Sequence, residues 1–403
     1  MNAHNHSNAS QVQQGPGDLG LVMTGGGARA AYQVGVLRAL SKSFPDLRIP
    51  IITGVSAGAI NAAHLANHYG SFKEAGEELT QLWSNLTVDD VFKTDFKSLY
   101  RQVMRWSRQL VGGGRGSVIR VRGLVDTAPL RAFLTDALRA ERSQLMGVAH
   151  NLERGRLKAV ALSTSNYSTG QSITWIQGNG VSQWERPTRR SRMASLTVEH
   201  VMASAALPLM FPAVQIGNDW YGDGGIRLTA PLSPALHLGA NRILAISTRH
   251  DRSFAEANAP TVAGYPPPAQ IAGVLMNSVF LDLLDQDAHR MSKINELLVN
   301  LPPEHRRGMK PIRLVTMRPS VDLGKLANKY EPELPKAFRF MTRGLGTAES
   351  ESPDFLSLVM FQPNYLRELI SVGEADAEAR MDELAGLVEP GPVQPEEAKA
   401  TAR

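Results

Sequence analysis

Twice within its first 70 residues the chain runs from an apolar stretch through a glycine-bearing turn into a segment of helical spacing. Residues 19–24 (LGLVMT) read as a short buried strand, GGG follows, and from Ala28 to Ser43 the apolar positions Val34, Leu37 and Leu40 recur at helical spacing. Residues 48–53 (RIPIIT) read as a second strand, GVSAG as a tight turn, and AINAAHLANHY as a helix whose small residues suit packing on a sheet. Two strand–turn–helix units in succession imply a parallel sheet covered by helices. Further strands predicted at 156–164, 171–177, 241–248 and 311–317, with helices at 127–140, 196–206 and 271–300, continue the alternation. The expected fold class is α/β: three layers, α/β/α, around a mostly parallel central sheet.

The 403 residues are enough to bury a full core. Residues 1–17 and 388–403 are polar or rich in Pro, Ala and charge, and are expected as disordered tails. Between them, 18–387 is expected as one domain, with a core over 18–250 and a helical C-terminal part over 251–387, the Pro-rich 259–268 lying between the two. Lys and Arg number 43 against 38 acids, a formal charge of +5 that suits anionic surfaces without requiring nucleic acid. Cysteine is absent, which excludes disulfides, thiolate metal sites and a cysteine nucleophile. No signal-like N-terminus and no apolar run of roughly 18 residues is present, so the expected location is cytoplasmic with any membrane contact peripheral.

The first turn, GGGARA, fits a dinucleotide fingerprint, but that reading needs an acid at the end of the next strand. The next strand ends in Thr53-Gly54-Val55-Ser56, and Asp46 precedes it at the wrong end. What stands there is G-V-S-A-G (54–58), a G-x-S-x-G match between strand and helix, where a sharp elbow lifts a serine hydroxyl above the sheet. Gly54 and Gly58 leave room for that turn and for close packing. If Ser56 attacks an acyl carbonyl, neighbouring parallel strands bring the first turn to the same sheet edge, and the N–H groups of Gly25 to Gly27 face the developing oxyanion. Arg29 then either holds the loop by hydrogen bonds or meets a head-group phosphate.

A serine nucleophile needs a base. His237, His250, His289 and His305 follow in the order of a Ser…Asp…His triad, yet none sits in an evident catalytic turn. Asp223, in WYGDGGIRLTAP, is set between glycines after aromatic residues; a plain Asp-Gly hairpin turn is the other reading.

The ordered set GGGARAAYQVGVL, GVSAGAIN, ASAALPLMFPAV and YGDGGIR resembles the patatin-like phospholipase family of bacterial type, over roughly residues 18–250. The resemblance implies the patatin-like three-layer fold and a serine lipid acyl hydrolase. It places the oxyanion loop on Gly25, Gly26, Gly27 and Arg29 and the nucleophile on Ser56. The activating aspartate falls on Asp223 of a D-G-G motif completed by Gly224 and Gly225, as a Ser–Asp dyad without histidine. The family's usual glycine after the loop arginine is Ala30 here. Lipid is the implied substrate, phospholipid or lysophospholipid by class, and no cofactor or metal is expected. The same residues also suit another ester, a thioester or an acyl transfer, because an elbow specifies the attack and not the acceptor. A non-catalytic lipid- or nucleotide-binding protein that keeps the turns is the second class.

From Lys97 to Arg122 there are seven cationic side chains and no acid. Leu99, Val103, Trp106 and Leu110 fall at helical spacing, with Arg101, Arg105 and Arg108 on the opposite side. That pattern suits a basic amphipathic helix at an anionic lipid surface, and equally a stripe packed on the protein with solvated arginines. No nucleic-acid partner is expected, and the oligomeric state is left open.

Overall fold

The computed structural model describes residues 18–93 and 123–389, apart from 261, 263, 281, 345 and 348–353. Arg101, Arg105, Trp106 and Arg108, the membrane-contact candidates, lie outside the described residues.

The strands are β1 (Asp18–Met23), β2 (Ile51–Val55), β3 (Ala159–Asn166), β4 (Ser172–Gly178), β5 (Glu185–Arg186), β6 (Arg189–Met193), β7 (Val214–Ile216), β8 (Asp219–Asp223), β9 (Ala240–Ile246) and β10 (Arg313–Met317). They form one sheet in the order β10-β9-β1-β2-β3-β4-β6-β5, with β8 paired to β3 and β7 to β8. From β10 through β3 every pairing is parallel; β4 and β8 both run antiparallel to β3. The central strands β1, β2 and β3 are buried on both faces, as strands enclosed by crossover helices must be. Leu21, Met23 and Ile52 face one core, and Val22, Ile51, Ala161 and Ala245 the other. Two apolar cores on opposite faces of one sheet make the three-layer α/β/α fold.

The helices that position the site are α1 (Ala31–Ser43), α2 (Ala57–Asn67), α3 (Phe72–Asn85), α4 (Ala128–Ala137), α5 (Val198–Ser204), α6 (Pro268–Phe280), α7 (Asp282–Val299), α8 (Asp354–Val359) and α9 (Pro363–Ala379). The helix expected over 271–300 is thus described as α6 and α7, with residue 281 outside the description. The segment expected as helical C-terminal material also supplies β10, the strand beside β9, in register from Arg313↔Arg242 to Met317↔Ile246. Its α9 lies along α1 at a separation only glycine permits. A Cβ on Gly35 would meet the Ile370 carbonyl at 2.0 Å, and one on Gly373 the Tyr32 carbonyl at 2.1 Å.

Candidate active site

Ser56 is the N-cap of α2, one residue past β2, with φ 56° and ψ −133°. A side chain in that backbone region costs of order 1–3 kcal/mol, so the surroundings must hold it there. The Ser56 N–H donates to Ser204 Oγ at the end of α5 (3.0 Å), and the Ser204 hydroxyl donates to the Ser163 carbonyl on β3 (2.7 Å). Gly54 and Gly58 let strand and helix meet: a Cβ on the first would lie 2.5 Å from the Gly58 carbonyl, and one on the second 2.4 Å from the Thr24 carbonyl.

Because β1 pairs in parallel with β2, with Met23 opposite Gly54, the two turns leave the same sheet edge. Gly25 is so close to the elbow that a Cβ there would sit 2.9 Å from Ser56 Cβ. Gly26 and Gly27 have φ of 145° and 54°, and the chain then enters a 3₁₀ turn, Gly27–Ala30, that leads into α1. The Thr248 hydroxyl donates to the Gly25 carbonyl (2.7 Å). Among the described residues the N–H groups of Gly25, Gly26 and Gly27 have no acceptor.

Arg29 points the other way. It is 4% exposed and ties the loop to α8: Nε donates to Ser357 Oγ (2.7 Å) and Nη2 to Asp354 Oδ1 (2.6 Å). Of the two uses considered for it, the structure displays the loop-holding bonds.

Asp223 reaches Ser56 across β3. Val55 is opposite Ser163, and Thr164, the next residue of β3, is opposite Asp223. The Asp-Gly pair opens a 3₁₀ turn, Gly224–Ile226, rather than a hairpin. Asp223 Oδ1 accepts from the Gly225 N–H (2.9 Å), and the Ser165 hydroxyl donates to the Asp223 carbonyl (2.8 Å). A Cβ on Gly224 would meet the Ser163 carbonyl at 2.1 Å, and one on Gly225 the Phe280 ring at 2.2 Å. The carboxyl is fully buried, and burial pushes its pKa up to about 7 against the stabilising pull of the Ser56 hydroxyl and the Gly225 N–H. The Ser56 hydroxyl is a neighbour rather than a formed bond: among the described residues Oδ2 has no hydrogen-bond partner of full geometry. Resting pairs of this kind commonly tighten only around substrate.

No histidine ring bonds Ser56 or Asp223 among the described residues. His237 bonds Ser233 and stacks on Trp184, while His250 bonds the Pro319 carbonyl and Glu256. No group of three or more His, Cys, Asp or Glu able to hold a metal ion occurs among the described residues.

Ser56 lines a narrow apolar cavity. Three helices line it on one face each: Ala57, Ile60 and His64 of α2; Leu79, Leu82 and Trp83 of α3; and Leu130, Phe133, Leu134 and Ala137 of α4. Gly26, Gly27, Phe280, Leu358 and Phe361 stand at the same cavity, so residues from both ends of the chain share it. A lining this apolar accepts hydrocarbon and repels water.

The family model for patatin-like phospholipases matches residues 21–236, which holds both turns, the elbow and Asp223. The chain belongs to the patatin-like phospholipase family. No curated protein matches this patatin-like sequence. Solved structures similar to it include VipD from Legionella pneumophila, 12% identical with a TM-score of 0.37, covering 91% of this chain and 67% of that one. Human GIVD cytosolic phospholipase A2 is 12% identical with a TM-score of 0.46, and 93% of this chain covers 59% of that one. ExoU of the Pseudomonas aeruginosa type III secretion system, in complex with SpcU, is 16% identical with a TM-score of 0.26, covering 96% and 74%. The patatin-like chain thus spans about three fifths of the human phospholipase's length. Family membership places it among lipid hydrolases. No helix among its described residues is long and apolar enough to cross a membrane.

Several supports of this patatin-like site escape sequence reasoning. Ser204, Ser165, Thr248 and Asp354 are single polar residues in no motif of their own, and each acts through a partner distant in sequence. Ser204 alone carried a hint, lying in the ASAALPLMF segment.

Proposed function

We propose that the protein is a serine lipid acyl hydrolase working through a Ser56–Asp223 dyad. The reading is carried by one juxtaposition: a strained serine lining an apolar cavity stands beside a glycine loop with three unpartnered N–H donors and beside a fully buried carboxyl. As an acyl ester enters, Asp223 takes the Ser56 proton while Oγ bonds to the carbonyl carbon, and the N–H groups of Gly25, Gly26 and Gly27 stabilise the oxyanion. Collapse breaks the carbon–oxygen bond to the alcohol, which leaves with the proton from Asp223. Water then repeats the attack on the acyl-enzyme with Asp223 as base, freeing the acid and Ser56. Phospholipid or lysophospholipid is the substrate class that the family supports best.

The test is hydrolysis of a chromogenic acyl ester by purified protein and by Ser56→Ala and Asp223→Asn. Both variants are expected to fall at least a hundred-fold. Undiminished turnover in either ends the dyad.

Peripheral contact with an anionic lipid surface belongs to the same proposal. It is supported by Ile271, Val274 and Leu275, exposed on one side of the α6 helix that ends at Phe280 of the cavity, and by the cationic run 97–122 of the sequence. Sedimentation with anionic vesicles is expected to weaken for Val274→Ser/Leu275→Ser and for the Arg101, Arg105 and Arg108 to Gln variant. Equal sedimentation in both removes the contact.

A further inference from the structure

The cavity has a floor, and the distance from Ser56 to that floor sets a length. α3 runs antiparallel to α2: the His64 ring bonds the Ala75 carbonyl (3.3 Å), and Trp83 Nε1 donates to Asn61 Oδ1 (2.8 Å) nearer the elbow. α4 runs alongside α2, because Asn67 at the far end of α2 donates to the Leu138 carbonyl just past α4 (2.7 Å). Of the residues lining the cavity, Leu86 therefore lies toward the Ser56 end of α2, and His64, Leu79, Ala137 and Leu138 toward its far end.

His64, Ala137 and Leu138 also line a second, smaller hollow that opens to the surface beside His68, Glu78 and Arg139. Those three form a polar cluster, with Glu78 hydrogen-bonded to His68 (3.1 Å) and ion-paired with Arg139 (2.9 Å). The wall between hydrocarbon space and charged surface is thus a single layer of side chains. Burial holds the His64 imidazole well below the usual histidine range, so that wall is uncharged at neutral pH.

Resting on Ser56 as the acylated residue, we propose that His64, Ala137 and Leu138 form a chain-length stop that makes this a hydrolase of medium-chain acyl groups. Eight residues of helix separate Ser56 from His64, about 12 Å at 1.5 Å per residue. With carbon–carbon bonds of about 1.5 Å, a zig-zag chain advances roughly 1.3 Å per carbon, so about nine or ten carbons reach the floor. Each methylene added above the floor is desolvated and multiplies kcat/KM about four-fold. A longer tail must fold back in a filled channel or push into the charged hollow, and the gain reverses.

Saturated p-nitrophenyl esters from C4 to C16 test this. The optimum is expected at C8–C10, with C16 at least ten-fold lower in kcat/KM. Ala137→Leu, at a partly buried position, moves the optimum about two carbons shorter; Leu138→Ala moves it longer. The second readout is free of Ser56 chemistry: thermal stabilisation of Ser56→Ala by C6–C16 fatty acids is expected to show the same length optimum. A length optimum in binding without any ester turnover overturns the nucleophile and supports the stop. A C16 optimum, a flat profile in both readouts, or an optimum unmoved in folded Ala137→Leu overturns the stop.

Discussion

A carboxyl in the place of Asp223 must be charged to act as a base and is penalised for being charged. With burial holding its pKa at about 7, kcat/KM of the hydrolase is expected to rise ten-fold per pH unit below 7 and to level above it. A pH profile that is flat from 5 to 8 contradicts this. The same shift bears on stability. The folded carboxyl keeps its proton from about pH 4 to 7 while the unfolded one, with a pKa of 3.8, loses it, so stability falls as pH rises through that window. At about 1.4 kcal/mol per pKa unit, the ionised group destabilises the fold by roughly 4 kcal/mol above pH 7. Asp223→Asn should therefore melt higher than the parent at pH 8 and close to it at pH 4; a variant that melts lower at both shows the carboxylate to be a structural support. The glycines flanking Asp223 and the elbow around Ser56 were legible in the sequence, because strained turns restrict residue type. The burial of Asp223 was not, since it depends on β8 pairing with β3, a short antiparallel strand whose DWYGD sequence has no clear alternation.

At the scale of elements, the loop after β1 and the elbow after β2 are spaced by a missing side chain. A Cβ at Gly25 would approach Ser56 Cβ to 2.9 Å and Oγ to 3.3 Å, with no backbone carbonyl among its near contacts. Gly25→Ala is expected to fold, to displace the serine and its facing N–H groups, and to lower kcat roughly a hundred-fold with KM little changed. Gly58→Ala meets the Thr24 and Met23 carbonyls at 2.4 and 2.5 Å and is expected to lower Tm sharply, and the contrast between the two by thermal unfolding checks the packing. The parallel sheet and its first two crossovers were readable from turn chemistry and period. The cavity was not. Leu79, Leu82, Trp83 and Leu86 recur at helical spacing, but periodicity reports only that a face leaves water, and not whether it meets another helix or bounds an open channel.

Across the whole molecule, the family-matched span 21–236 carries the proposed reacting groups, and residues beyond it hold the glycine loop in place. Arg29 is buried against Asp354, 325 residues away, and Asn277 of α6 donates to the other oxygen of the same carboxylate (2.6 Å). Leu358 presses its carbonyl on Gly27 so closely that a Cβ there would lie 2.1 Å from it. The loop that presents the N–H donors is therefore clamped from the C-terminal side, which the sequence could not reveal because an ion pair of that separation leaves no local pattern. Breaking the clamp at Asp354 leaves Arg29 charged and buried without its counter-ion, a loss of about 3–5 kcal/mol. Asp354→Asn should accordingly lower Tm and, if the loop stabilises the oxyanion as proposed, reduce kcat more than it raises KM. Replacing both partners, Arg29→Met with Asp354→Leu, removes the unpaired charge and is expected to recover most of the Tm while kcat stays low. If the double variant recovers activity along with stability, Arg29 and Asp354 are packing partners alone, and the loop keeps its shape from Thr248 and the glycines without them.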